Sequence, residues 1–148
     1  MKVVATGNRG SDLPSAVVTR MPAYRDSKFN VSPDQEYVVY AMAIWLGGIL
    51  IMIIDDLGRP HWYPLELFRI SDSALVSSWF FGLVQEPGGA LDPQAFWGYK
   101  ALIDDPRHHA ALIDREIGAL RVFLSECDTA DLPADELRKI EALRIIAS

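Results

Sequence analysis

Cysteine is almost absent from this chain. Cys127 stands alone, so no internal disulfide and no thiolate metal cluster can form within it. A reducing compartment, the cytoplasm, is the expectation. Bases are scarce after the first 30 residues. Lys2, Arg9, Arg20, Arg25 and Lys28 face only Asp12 and Asp26 there, and the remainder carries about −9 of the net −6. An acidic body repels phosphate backbones, so DNA and RNA are rejected as main partners, and opposite fields favour a basic protein instead. The apolar stretch of a secretory signal is missing from Met1 to Arg20. No Gly-x-Ser-x-Gly elbow activates a serine, and Asn8-Arg9-Gly10-Ser11-Asp12 lacks the Lys-Ser/Thr of a phosphate loop. No cofactor is expected.

What the chain does have is apolar bulk. Half of its 148 residues are hydrophobic, enough for one domain to bury a core without metal or disulfide staples. The longest run is YVVYAMAIWLGGILIMII, Tyr37 to Ile54, between Glu36 and Asp55. By length it approaches a membrane span. Gly47-Gly48 at its centre favours two strands joined by a tight hairpin, since two-residue turns need positive φ. The acidic flanks also lack the Lys/Arg bias that orients a span. The expectation is a buried hairpin and no membrane.

Around that hairpin the chain divides into three stretches. Residues 1–35 read as a loop-rich entry with short strand pieces at Val3-Val4 and Ala16 to Thr19. Residues 36–84 read as a β core: Glu36 to Leu46, Ile49 to Asp55, a turn at Asp56 to Arg59, an edge piece His61-Trp62-Tyr63 between Pro60 and Pro64, then Leu65 to Ile70 and Ser78 to Val84. Gln85 to Leu91, with Pro87-Gly88-Gly89, breaks the pattern. Residues 92–148 read as helices. Asp92-Pro93 and Asp105-Pro106 each set an acid before proline at a helix start, and a third start lies near Asp131-Leu132-Pro133. The second helix is the longer of the first two, with Ile113, Ile117, Leu120 and Leu124 on one face; Leu137, Ile140 and Leu143 line the third. The fold class is α+β: a small antiparallel β-barrel or bent sheet followed by two or three C-terminal helices.

Three clusters are candidate sites. Asp104, Asp105, His108 and His109 place two Asp/His pairs four residues apart at a helix start, a weak metal site if another ligand joins them. The competing account is an acidic cap followed by exposed imidazoles. Asp55 and Asp56 offer paired carboxylates, though Asp56-Leu57-Gly58 has the composition of a turn. Trp62 and Tyr63, on opposite faces of an extended segment, offer either core bulk or one exposed ring for a protein interface.

At YVVYAMAIW, IIDDLGRPHWYPLELFRISD and SSWFF the middle third resembles the small SH3-like barrels, which implies a barrel fold. The Ala-Leu-Tyr-Asp-Tyr-type strand and the Trp-Trp pair of peptide-binding SH3 domains do not occur, so no binding residue is carried over. In size, acidity and want of catalytic motifs the chain also resembles bacterial toxin-immunity proteins, which implies inhibition by binding. The expectation is a non-enzymatic protein-binding module, an immunity-type inhibitor of a basic partner, with Asp55, Asp56, Trp62 and Tyr63 at the interface. A homodimer is compatible with an aromatic edge strand. The alternative is a small metal-dependent enzyme built on Asp104, Asp105, His108 and His109.

Overall fold

The computed structural model describes residues 1–84 and 92–148. The chain folds as α+β, with two antiparallel sheets that do not close into a barrel. The SH3-like barrel expected from the middle third is thus replaced by separate sheets. The reason lies at Val39-Tyr40. The single strand expected from Glu36 to Leu46 divides there into β2 (Glu36–Val38), which pairs with β1 (Lys2–Ala5), and β3 (Ala41–Trp45), which pairs elsewhere. Val39 N–H bonds to the Met1 carbonyl and Tyr40 N–H to the Met52 carbonyl, so the chain changes sheets within two residues.

Between β1 and β2 lies a short helix, α1 (Ser15–Arg20), where the sequence suggested a strand at Ala16 to Thr19. Pro14 sits immediately before its first turn, a position where proline's fixed φ and missing N–H cost nothing. Only Val17 of the helix is buried, so β-branching did not decide its state.

The hairpin in the apolar run is present. β3 pairs with β4 (Gly48–Ile54) from Trp45↔Gly48 to Ala41↔Met52. Its two-residue turn is Leu46-Gly47, not Gly47-Gly48, with φ of 54° and 73°. Gly48 instead opens β4, and a Cβ there would run into the Arg20 guanidinium. One glycine serves the turn and the other makes room for a side chain.

β5 (Pro60–Pro64) follows and pairs with β4; a 3-10 turn, Leu65–Leu67, then leads into β6 (Phe68–Asp72), which pairs with β1. β7 (Phe80–Leu83) and β8 (Ala95–Gly98) complete the larger sheet. Its order is β5-β4-β3-β8-β7, and the smaller sheet runs β2-β1-β6. β5 lies at an edge, as its prolines require. β8 occupies a position where the sequence placed a helix starting at Asp92-Pro93. It pairs with β3 on one side and β7 on the other, and Ala95, Phe96 and Gly98 are all buried, so the alternation that marks a half-exposed strand is missing. The expected breaker at Gln85 to Leu91 lies outside the described residues.

The unbroken apolar run has a direct cause. β4 is covered on both faces: Leu50, Met52 and Ile54 join one core cluster and Ile51 and Ile53 the other. The first cluster lies toward the C-terminal helices, with Leu102, Leu112, Leu120, Phe123, Ile140 and Leu143. The second lies toward the smaller sheet and entry segment, with Val3, Ala5, Val17, Phe29 and Tyr37. A strand buried on both sides has no polar face to alternate with. Among the described residues no helix is long and apolar enough to cross a membrane.

The helices are α2 (Lys100–Asp104), α3 (His108–Ile113), α4 (Ile117–Glu126) and α5 (Ala134–Ala147). The one long helix expected after Asp105-Pro106 is broken in two at Arg115, whose φ is 58°. This break turns the intended stripe: Leu120 is buried, whereas Ile117 is exposed. The start near Pro133 is realised as α5, with Pro133 before its first turn and Ile140 and Leu143 inside.

Candidate functional site

Asp55 and Asp56 meet the turn composition around them and are consumed by it. The Asp55 carboxylate, fully buried, accepts the backbone N–H groups of Leu57 (2.9 Å) and Arg59 (3.0 Å), the Arg59 Nε (3.2 Å) and the Tyr63 hydroxyl (2.9 Å). Asp56 accepts the Tyr37 hydroxyl at 2.6 Å and the Ser32 hydroxyl at 2.7 Å. Gly58, at φ 71°, completes the turn between β4 and β5. The two carboxylates hold strands and loop together, Asp55 inside the protein and Asp56 at its surface.

Trp62 and Tyr63 point to opposite faces of β5, and both faces are covered. Trp62, 6% exposed, packs edge-on to Trp45 at 6.3 Å and against Phe96. Tyr63, 2% exposed, sits edge-on to Phe29 at 6.1 Å. An interface residue must reach its partner, and neither ring does. β5 sits between a helical layer and the entry segment, a placement that a sequence pattern of period two leaves open.

The Asp/His cluster is dispersed. His108 is buried and shares a 2.7 Å hydrogen bond with the Tyr99 hydroxyl, replacing the exposed imidazole expected at this position. His109 packs on Trp45 and Phe96. Burial lowers the pKa of both rings. Asp104 is paired with Lys100, and the Asp105 carboxylate accepts the Arg107 N–H at 2.9 Å. Among the described residues no three His, Cys, Asp or Glu side chains are placed to hold a metal ion.

The feature that stands open lies at the opposite edge. Each sheet ends in two edge strands, and three of these four are blunted. β2 is three residues long with Glu36, β6 carries Arg69 and Asp72, and β5 begins and ends in proline. β7 has neither charge nor proline. Its sequence is Phe-Phe-Gly-Leu, and Phe80, Phe81 and Leu83 are 51%, 52% and 68% exposed. β8 is its only strand partner, so the outer N–H and C=O groups of β7 meet no described strand. Phe81 packs on Trp97 with ring centroids 4.5 Å apart and the planes tilted by 41°, and Ile103 of α2 lies against Gly82. Among the described residues no strand covers this edge, and α2 and Trp97 pack behind it.

Beside β7 opens a groove of about 470 Å³, lined by Val38, Tyr40, Trp79, Phe80, Tyr99 and Cys127, with Glu126, Asp128 and Asp131 also along it. The Tyr40 hydroxyl donates to the buried Glu136 at 2.7 Å. Burial pushes the Cys127 thiol up to about 12, with Glu136 adding to the effect. Burial likewise raises the Tyr40 and Tyr99 hydroxyls. Burial favours the protonated form of all three groups, and both hydroxyls are already hydrogen-bonded, Tyr40 to Glu136 and Tyr99 to His108. The SSWFF segment was visible in the sequence as a strand; its position at an edge depended on β8, which the sequence hid.

No family model, no curated protein and no solved structure matches this chain.

Proposed function

We propose that this chain is a non-enzymatic protein-binding module that receives an extended segment of its partner along β7. The observation that carries this reading is the contrast among sheet edges: among the described residues one edge strand is apolar, exposed and without charge or proline, while the other three carry the usual protections. Strand addition at such an edge satisfies main-chain groups of both chains, and neighbouring pockets choose side chains. The net charge of −6 favours a basic partner and opposes pairing of two copies of the chain through the same edge. Inhibition of that partner by occupying it is the activity such a module would exert.

The test is affinity capture at low salt from the native host, with wild-type protein and Leu83→Lys as baits. Leu83 is exposed, so lysine there guards the edge while leaving the core intact. A stoichiometric partner held by the wild type and lost by the variant supports the reading, and the inhibitor role requires that the partner's own activity fall in the complex. Recovery of no protein by the wild type would end it. Analytical ultracentrifugation of both proteins decides the competing use of the edge: a wild-type dimer dissociated by Leu83→Lys assigns β7 to self-association.

A further inference from the structure

We propose that the groove beside β7 receives a basic side chain, lysine or arginine, from the segment that docks on that strand. This rests on the protein-binding reading and adds the chemistry of the partner. Three observations converge. The groove is about 470 Å³, ample for one long side chain, and it is lined by the aromatic residues Trp79 and Phe80, the kind of ring that attracts cations, with the mostly buried Tyr40 and Tyr99 beneath. Its acids are available: among the described residues Glu126 and Asp131 have no ion-pair or hydrogen-bond partner, and Asp128 accepts only the Ala130 N–H at 3.0 Å. Its side-chain cations are already engaged, Lys2 with Glu36 at 3.8 Å and Lys100 with Asp104 and the Phe80 ring.

The field at the floor has the same sign. The carboxylates that act on Tyr40, Tyr99 and Cys127 are Glu126 and Glu136, the latter already paired with Lys139 at 3.4 Å, and Arg144 opposes them at Cys127. An acidic side chain entering here meets like charge, and an aliphatic one leaves the acids unpaired. A cation on an alkyl stem satisfies both wall and rim, its stem along the rings and its head at Glu126 and Asp131.

The test uses two synthetic peptides, acetyl-Thr-Val-Arg-Val-Thr-amide and the same peptide with citrulline for arginine, which keeps the shape and removes the charge. Binding is followed by chemical shifts of the Trp79 indole N–H and the Cys127 and Asp131 amides. The arginine peptide is expected to shift all three and to bind about fivefold more tightly than the citrulline peptide, the ratio that about 1 kcal/mol of cation recognition gives. Combined Glu126→Gln and Asp131→Asn should bring the two peptides to equal affinity, with thermal unfolding confirming that the variant is folded. Equal binding of both peptides to the wild type, lost in Leu83→Lys, overturns the basic side chain and leaves docking on β7 standing. Failure of the arginine peptide to shift Trp79 at millimolar concentration overturns the groove assignment, whereas docking on β7 is judged separately by the capture experiment.

Discussion

Tyr40 and Glu136 are 96 residues apart in sequence and joined by a 2.7 Å hydrogen bond between buried atoms. Tyr40 stands where the chain leaves one sheet for the other, and Glu136 lies in the first turn of α5. The contact therefore fastens the last helix to the junction between sheets. Lys139, one turn further on, pairs with Glu136 at 3.4 Å, donates to the Ile54 carbonyl at 2.9 Å and lies over the Tyr37 ring at 4.8 Å. Together these place α5 over the end of β4, behind Tyr40, which lines the groove.

Glu136 gives this fastening a pH dependence. Its carboxyl titrates above the ordinary 4.5, because burial outweighs the opposing pull of Lys139 and Tyr40. A group raised on folding binds its proton more tightly in the native state. Its contribution to stability is present below about pH 4.5 and is lost as pH rises through the native value. Glu136→Gln keeps an acceptor for Tyr40 and removes the titration. Urea unfolding at about pH 4 and pH 7 should show the variant gaining on the wild type as pH rises. Tyr40→Phe should cost about 1–3 kcal/mol at either pH, the usual penalty for stranding a buried polar partner.

The three histidines act in the opposite direction. His61, His108 and His109 all titrate below 6.5, chiefly because burial disfavours the imidazolium. The stability they contribute is complete above pH 6.5 and drains away as pH falls toward their native values. Thermal unfolding should therefore show a falling midpoint between about pH 6.5 and 5. His108→Gln, which keeps a partner for Tyr99, should flatten that fall. NMR titration of the His108 ring reads the shift directly, and a value at or above 6.5 would contradict the burial seen here.

What the sequence disclosed and what it hid follow from how each strand is covered. The β3–β4 hairpin was legible because glycine punctuates it, and β5 was legible as an edge because proline brackets it. β8 was hidden by burial on both sides and by Asp92-Pro93 before it, which mimics a helix start. The break between α3 and α4 depends on a left-handed backbone at Arg115, a residue with no strong preference for that region. Asp55, Asp56, Trp62 and Tyr63 looked like surface chemistry because polar and aromatic residues at a turn carry the same signature whether they meet a partner or their own chain. Only tertiary packing separates the cases. The β7 edge was missed as a site for the same reason, since its exposure is set by which strand pairs with it.

The hairpin turn offers a stabilising change. Leu46 occupies a left-handed conformation, φ 54°, ahead of Gly47 at 73°. A turn with positive φ at both central positions favours Asn-Gly, and a leucine there is strained. Leu46→Asn should raise stability by about 0.5–1 kcal/mol in urea unfolding. A loss instead would show that Leu46 contributes more through packing than its conformation costs.

Cys127 should behave as an inert thiol. With its pKa near 12, raised from 9.0, the thiolate population at pH 8 falls by about a thousandfold relative to an unshifted thiol. Iodoacetamide should modify the folded protein far more slowly than the urea-unfolded chain. Because Cys127 lines the groove, a docked segment should slow the reaction further. Rapid alkylation of the native protein would contradict the half-buried, acid-flanked environment of this thiol.

Asp55 is the position where one substitution should be most destructive. Four donors converge on a carboxylate with no exposure: two backbone N–H groups, the Arg59 guanidinium and the Tyr63 hydroxyl. Asp55→Ala strands all of them, and the turn between β4 and β5 loses its organising anion. Asp55 is buried while Arg59 is 31% exposed, so the loss should reach at most the roughly 3–5 kcal/mol that removing one partner of a buried ion pair costs. Asp55→Asn retains an acceptor but brings an N–H₂ group that must face donors, so it should recover only part of the loss. Tyr63→Phe removes one of the four donors while leaving the ion pair with Arg59, and should cost about 1–2 kcal/mol. The order Asp55→Ala, Asp55→Asn, Tyr63→Phe in urea unfolding is the expected result. An Asp55→Ala variant of wild-type stability, with partner capture abolished, would return this residue from scaffold to interface.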